Sequence, residues 1–160
     1  MQWGLWIPLR DGKHLNAILY LPAGRAGRAP AIVTMTPYIA QTYHERGMYF
    51  AAHGYPFLIV DVRGRGNSEG EFRPLLNEAA DGYDVVEWIA QQPFCDGQVA
   101  MWGGSYGGYV QWATASRTPP HLRTIVPAAA PYPGEACPRA RRSSRWRRAC
   151  GGGRAGPRRP

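Results

Sequence analysis

A serine flanked by glycines, in the pattern Gly103-x-Ser105-x-Gly107, lies between an apolar run and a segment compatible with a helix. This spacing matches the nucleophile elbow, a sharp strand-to-helix turn that exposes a serine hydroxyl above a sheet. Backbones approach closely around such a turn, so glycine is expected on both sides of the serine. The N–H of Tyr106, aided by the helix dipole, would face the oxygen that becomes negative during acyl transfer. The pattern therefore predicts Ser105 as a nucleophile and the Tyr106 backbone as an oxyanion donor.

The same pattern also occurs by chance, and the alternative is a Gly-rich turn that carries a solvated serine. The surrounding sequence favours the elbow. Residues 99–102 predict a buried strand, residues 109–116 predict a helix, and strands alternate with helices in the preceding hundred residues.

Apolar runs and turn signals predict the remaining elements. Asp11-Gly12 between two apolar runs is typical of a β-hairpin. Asn77 is a plausible N-cap for a helix whose carboxylates, including Glu78 and Asp81, would lie mostly away from its apolar face. The predicted strands are residues 3–10, 14–21, 31–36, 56–62, 99–102 and 124–129, and the predicted helices are residues 45–53, 78–92 and 109–116.

This order predicts an α/β fold, with a mostly parallel sheet, an N-terminal antiparallel hairpin at one edge and helices on both faces. Functional groups in such sheets gather at the carboxyl ends of the strands. Three loops meet that description: the loop after Thr36, the loop after Val62, and the turn that carries Ser105.

The net charge of +8 lies entirely in the last 28 residues. Residues 1–132 carry ten basic and ten acidic side chains, whereas residues 133–160 hold nine arginines and only Glu135. We therefore predict a folded domain over residues 1–132 and a basic, disordered tail over residues 133–160. The tail could be a cationic arm for nucleic acid, with Trp146 stacking on bases. The favoured interpretation is a frameshift product, because GC-rich DNA read out of frame encodes Arg, Ala, Gly and Pro.

Other functional classes have no support in the sequence. The N-terminus lacks the pattern of a secretory signal and no apolar run is long enough for a membrane span, so a cytoplasmic location is expected. Cys95, Cys137 and Cys150 fit neither a disulfide framework nor a zinc site, and unpaired thiols are expected. No metal or cofactor is implied.

Five groups of residues match a known family in order and spacing over about residues 4–131. They are Pro8 to Leu15, Thr36-Pro37-Tyr38, Asp61 to Gly70, Asp81 to Asp84 with Glu87-Trp88-Ile89, and Gly103 to Gly108. In these motifs the chain resembles the N-terminal part of the α/β-hydrolase domain of the X-prolyl dipeptidyl-peptidase-like (CocE/NonD) family. The resemblance implies that Ser105 is acylated and that Tyr106 supplies one oxyanion donor through its N–H. It also implies that Tyr38 supplies the second through its hydroxyl; without the family, Tyr38 would be interpreted as a rim tyrosine.

The acid and the histidine of a catalytic triad should follow the nucleophile in this fold. Only Glu135 and His121 follow Ser105, and His121, beside two prolines, is expected to be a loop residue. The expectation is therefore a truncated serine hydrolase with impaired catalysis. Its substrates would be small-molecule esters, amides or peptides, and the residues do not select among these.

Two alternatives stay open. One is an inactive fragment or basic protein that binds nucleic acid through its tail. The other is an enzyme completed by a second chain, which would supply the later strands and a histidine. Nothing in the residues indicates an oligomeric state.

Overall fold

The computed structural model describes residues 1–24, 27–38 and 40–131. The predicted tail, with Glu135, Cys137, Trp146 and Cys150, lies outside these residues. In the described ranges no helix is both long enough and apolar enough to cross a membrane. Cys95 is a buried free thiol.

Six strands of the described part of the chain form one sheet. They are β1 (Gln2–Pro8), β2 (His14–Tyr20), β3 (Ala29–Thr36), β4 (Phe57–Asp61), β5 (Cys95–Gly104) and β6 (Leu122–Ala128). Their order across the sheet is β1-β2-β4-β3-β5-β6. The β1–β2 and β2–β4 pairs are antiparallel, and the pairs of β3 with β4, β3 with β5 and β5 with β6 are parallel. The predicted edge hairpin and the mostly parallel sheet are therefore confirmed.

Within residues 1–24, 27–38 and 40–131, three helices cover the two faces of the sheet: α1 (His44–Ala52), which follows a 3₁₀ turn (Ala40–Tyr43), α2 (Glu78–Ala90) and α3 (Tyr106–Ala115). On one face, Phe50 of α1 stacks on Phe57 of β4 with ring centroids 5.0 Å apart. On the other face, α2 and α3 bury Val86, Ile89 and Val110 in the larger apolar core. Burial of apolar surface on both faces stabilises the layered arrangement.

The observed elements differ from the predicted ones mainly at β5 and α3. Strand β5 begins at Cys95 rather than residue 99, because its first residues pair with the start of β3 at Ala29. Helix α3 begins at Tyr106 rather than residue 109, directly after Ser105. The turn is thus the single residue Ser105. The glycines around it had predicted a longer turn.

The expectation that the carboxylates of α2 lie away from its buried face is wrong for two of them. Glu78 and Asp81 are each only 4% exposed. Glu78 accepts a hydrogen bond from the Tyr106 hydroxyl, and Asp81 accepts two from the guanidinium of Arg63, at 2.9 and 2.7 Å. Asn77 occupies the N-cap position, but its side chain makes no capping bond.

Arg63, in the loop after β4, joins three parts of the fold. Besides Asp81 of α2, its guanidinium binds Asp11 in the β1–β2 turn at 2.7 Å. The hydrogen bond to Asp81 raises the pKa of Arg63, and the same kind of bond to Arg63 lowers the pKa of Asp11. Because Arg63 and Asp81 are both largely buried, each compensates a charge that would otherwise be costly to bury.

Replacement of Arg63 by leucine tests this bridge. We expect Arg63→Leu to lower the free energy of unfolding by about 2–3 kcal/mol, because the buried carboxylate of Asp81 loses its cation. The measurement is urea denaturation at neutral pH.

The matched control is Arg73→Leu, since Arg73 pairs with Glu71 at 2.7 Å but both side chains are exposed. Removal of this surface pair should leave the urea midpoint unchanged. Equal losses in the two variants would contradict the role assigned to Arg63.

Candidate active site

The backbone of Ser105 has φ +53° and ψ −118°, a conformation that residues with a Cβ rarely adopt. Hydrogen bonds on both sides hold it there. Its N–H donates to the carbonyl of Ala128 in β6 at 2.9 Å, and its own carbonyl accepts the N–H groups of Gly108 and Tyr109, both at 3.0 Å. The side chain is exposed at the tip of the turn. This is the geometry of a nucleophile elbow.

Close approach of neighbouring elements accounts for the glycines around Ser105. Gly103 has φ +148°, and a Cβ there would lie 3.0 Å from the hydroxyl of Thr34 in β3. A Cβ on Gly107 would be at 3.4 Å from its nearest neighbour, a milder constraint. Gly108 lies outside the G-x-S-x-G pattern but is more crowded, with a Cβ position 2.6 Å from the Cβ of Ala130. The G-x-S-x-G spacing does not predict this requirement, although glycines occupy both positions 107 and 108.

Tyr38 and Ser105 follow neighbouring parallel strands. Val33 of β3 pairs with Met101 of β5, and continuing that register brings the carboxyl ends of the two strands side by side. Tyr38 comes two residues after β3, is 50% exposed, and donates its N–H to the hydroxyl of Thr36 at 3.1 Å. The two predicted site residues thus belong to the same edge of the sheet, and their catalytic roles stay predictions.

The N–H of Tyr106 opens helix α3 and has no acceptor within the helix, as is general for the first turn. The partial positive charge at a helix N-terminus adds to the field of this group. The backbone can therefore donate a hydrogen bond to an oxygen held above Ser105, which is what the sequence predicts for Tyr106.

The side chain of Tyr106 is fixed by a network that the sequence did not indicate. Its hydroxyl donates to the buried carboxyl of Glu78 and accepts the N–H of Leu75 at 3.3 Å. Tyr109, one turn further along α3, donates its hydroxyl to the carbonyl of Leu75 at 3.1 Å. Leu75 itself has φ +64°. The first turn of α3 thus holds the loop before α2, and that loop in turn restrains the residue next to Ser105.

Burial sets the electrostatics of this network. It raises the pKa of Glu78, an effect that the bond from Tyr106 only partly offsets. The pKa of Tyr106 is also raised. Burial is the largest cause, and the hydrogen bond to the Glu78 carboxyl is the next. One carboxyl oxygen of Glu78 has no hydrogen-bond partner among the described residues. The carboxyl group of Glu78 therefore keeps its proton to a higher pH than an exposed glutamic acid does.

All four histidines of the sequence fall in the described ranges, and each contacts a group other than Ser105. His121 lies in the turn before β6, as expected of a loop residue, with Nδ1 2.7 Å from a carboxylate oxygen of Glu87. Because β5 and β6 are parallel, the turn before β6 lies at the amino ends of these strands, whereas Ser105 lies at their carboxyl ends. The remaining contacts are His14 with Glu69, His44 with the Tyr20 hydroxyl, and His53 with the Tyr49 carbonyl.

Comparison with known proteins identifies relatives of this arrangement. The profile of the X-Pro dipeptidyl-peptidase (S15) family matches residues 11–152. Cocaine esterase from Rhodococcus sp. (strain MB1 Bresler) is 37% identical over 130 residues, which cover 78% of this chain and 22% of that protein.

Solved structures agree with the sequence comparison. An α-amino acid ester hydrolase labelled with selenomethionine has a TM-score of 0.73 and 30% identity, over 81% of this chain and 25% of that one. A CocE/NonD family hydrolase from Staphylococcus aureus has a TM-score of 0.70 and 25% identity, over 78% of this chain and 26% of that one. The fold is that of the α/β-hydrolases, and the chain spans about a quarter of the length of these relatives.

Backbone strain at Ser105 can be measured by comparing two variants that both lack the hydroxyl. We expect Ser105→Gly to be more stable than Ser105→Ala by about 1 kcal/mol, because glycine adopts positive φ without a steric penalty. Urea denaturation gives the difference.

Ser116 provides the matched control because its backbone is helical, with φ −62° and ψ −20°. There Ser116→Gly should have no advantage over Ser116→Ala, because a residue with a Cβ adopts this negative φ without strain. A Ser105→Gly variant that is no more stable than Ser105→Ala would show that the turn at Ser105 is not strained.

Glu78 makes the stability of the fold depend on pH. Because burial raises its pKa, the stabilising contribution is fully present below the ordinary value of 4.5 and is lost as the pH rises through the raised pKa. We expect the stability of the wild type relative to Glu78→Gln, which has no proton to lose, to fall from about pH 4 towards neutrality. Urea denaturation of both proteins across this range tests it; a difference independent of pH would be inconsistent with a buried, protonated Glu78.

Proposed function

The chain belongs to the X-Pro dipeptidyl-peptidase (S15) family, and from that premise we propose that it carries the nucleophile and oxyanion site of a serine hydrolase that forms an acyl-enzyme. The relatives are hydrolases of esters or peptides. The observation that carries the proposal is the exposed Ser105 in a strained turn directly before α3. Strain of this kind at a single exposed residue is typical of a functional position.

In the proposed reaction, the hydroxyl oxygen of Ser105 attacks the carbonyl carbon of an ester or amide and its proton passes to a general base. The carbonyl oxygen becomes an oxyanion, to which the N–H of Tyr106 and the hydroxyl of Tyr38 donate hydrogen bonds. Collapse expels the alcohol or amine, which takes up the proton, and water then hydrolyses the acyl-Ser105 ester. One such donor contributes roughly 3 kcal/mol to the transition state.

The general base is the part of the reaction that we assign to no residue of this chain. The contacts of all four histidines with other groups support this, and His121 is paired with Glu87. An acid that orients the base is likewise unassigned, since Glu135 lies outside the described residues. We propose that these 160 residues acylate slowly, because loss of a triad base costs about a millionfold in turnover.

The substrate class follows from the relatives. Cocaine esterase and the α-amino acid ester hydrolase are named for ester substrates, and the family is named for an X-Pro dipeptidyl-peptidase activity. We propose a small-molecule ester, amide or peptide as the substrate. The shared requirement is a carbonyl group that reaches Ser105.

A fluorophosphonate probe tests the nucleophile. We expect prolonged incubation of the chain to give a phosphonylated product whose adduct maps to Ser105 by peptide mass spectrometry, at a rate about 10⁴-fold or more below that of a full-length family member such as cocaine esterase. Tyr38→Phe should slow the labelling further by about a hundredfold.

Two serine variants control the experiment. Ser105→Ala should abolish the adduct, and Ser116→Ala, at the end of the same helix, should leave it unchanged. An adduct on another residue would refute Ser105 as the nucleophile. Rapid, Ser105-dependent hydrolysis of p-nitrophenyl acetate would refute the assignment of a missing base.

A further inference from the structure

A cleft of about 570 Å³ opens on the face of the sheet that carries the 3₁₀ turn before α1. Its lining includes side chains from β2, β4 and the loops after β3 and β4, but not Ser105. A volume of this size is in the range of small-molecule sites. Only Tyr38 belongs both to this cleft and to the proposed oxyanion site, so the inference that follows does not depend on the proposed function.

Two polar side chains form the floor of the cleft. Asn16 of β2 and Asp61 of β4 are each 6% exposed. Ala17 pairs with Val60 in the antiparallel β2–β4 register, which places Asn16 and Asp61 opposite each other on one face. The hydroxyl of Ser68 joins their backbones, since it accepts the N–H of Asn16 at 2.8 Å and donates to the carbonyl of Asp61 at 2.7 Å. Both side chains line the same cleft, where one ligand can contact the two of them.

Neither side chain has a strong partner among the described residues. The carboxylate of Asp61 accepts one long hydrogen bond, from the N–H of Asn67 at 3.4 Å, and has no cation beside it. The side-chain amide of Asn16 has no hydrogen bond to the described residues. Burial raises the pKa of Asp61, as expected of a carboxyl group without a compensating charge.

The basic residue in the lining, Arg65, forms no ion pair with Asp61. Arg65 donates its Nε–H to the carbonyl of Pro37 at 3.0 Å, and its guanidinium lies over the ring of Phe72 at 5.3 Å. Asp61 is therefore a buried acceptor in an open cleft, a combination that favours a cationic ligand over an anion.

The walls of the cleft add aromatic surface. Trp3 is 52% exposed and Tyr38 is 50% exposed, and both line the cleft. The faces of such rings attract cations and pack against apolar groups. One carboxylate and one amide are too few ligands for a hard metal ion, whereas an ammonium group needs only a few acceptors and an aromatic neighbour.

We propose that this cleft binds a protonated amine that carries a small apolar or aromatic group. The ammonium N–H groups donate to the carboxylate of Asp61 and to the side-chain oxygen of Asn16. The apolar part of the ligand packs between Trp3 and Ile18.

Phenethylamine, which is protonated at neutral pH, and its neutral analogue 2-phenylethanol distinguish charge recognition from simple apolar binding. In a titration of the ¹⁵N-labelled chain followed by NMR, phenethylamine should shift the amide signals of Asn16, Asp61 and Asn67 saturably. The alcohol should bind about tenfold or more weakly. Equal affinity of the two compounds, or shifts centred on other residues, would overturn the proposal.

Asp61→Asn, which keeps the size of the side chain, should weaken phenethylamine binding by about tenfold or more. Asp96→Asn is the matched control, because Asp96 is exposed and bonds only Gln98; it should bind as the wild type does. Unchanged affinity in Asp61→Asn would also overturn the proposal. If that variant does not fold, the comparison of amine with alcohol on the wild type decides the question.

Discussion

The passage of the chain from β5 into α3 through the single residue Ser105 constrains everything around it. A backbone at φ +53° and ψ −118° is unfavourable by itself. It persists because the N–H of Ser105 is bonded to β6 and its carbonyl already belongs to the helix. The close packing of Gly103 on β3 and of Gly108 on the chain after β6 follows from the same requirement. A side chain at Gly108 would force Ala130 to shift, and one at Gly103 would be strained at its positive φ.

Three carboxyl groups are buried near this turn and in the sheet, and each has different partners. Asp81 is compensated by the cation of Arg63, which also fixes the hairpin turn. Glu78 is held by the Tyr106 hydroxyl, and its raised pKa favours the neutral form. The carboxyl group of Asp61 has neither a cation nor a hydroxyl donor among the described residues, and it faces an open cleft. The cost of burying charge thus relates a salt bridge, a carboxyl group with a raised pKa and the proposed ligand site within one small sheet.

The position of His121 bears on whether it could act as a general base for Ser105. The relatives named above are hydrolases, and the described residues contain the strands that precede Ser105 and Tyr38, the proposed nucleophile and oxyanion donor. His121 is at the amino end of β6, whereas the elbow is at the carboxyl end of the adjacent parallel strand. A change of side-chain rotamer cannot bring His121 to Ser105, because the two ends of the strands are about 20 Å apart. This separation is the physical reason for the proposal that His121 is not the general base; His14, His44 and His53 contact Glu69, Tyr20 and Tyr49 instead.

The amino-acid sequence by itself determined the layered α/β fold, the edge hairpin and the candidate nucleophile, because these depend on local patterns. Continuous apolar runs indicate strands buried on both faces, Asp11-Gly12 indicates a tight hairpin turn, and glycines around Ser105 indicate a crowded turn. Each of these signals is contained within about ten residues.

Only the tertiary structure decided which polar groups are buried and with what partners. The helix pattern predicts Glu78 and Asp81 on the outer side of α2, but Tyr106 and Arg63 approach them from distant parts of the chain. The placement of Asn16 opposite Asp61 likewise follows from the order of strands, with β2 beside β4 rather than beside β3. Such contacts join residues far apart in sequence, and periodicity along a single element carries no information about what packs against it.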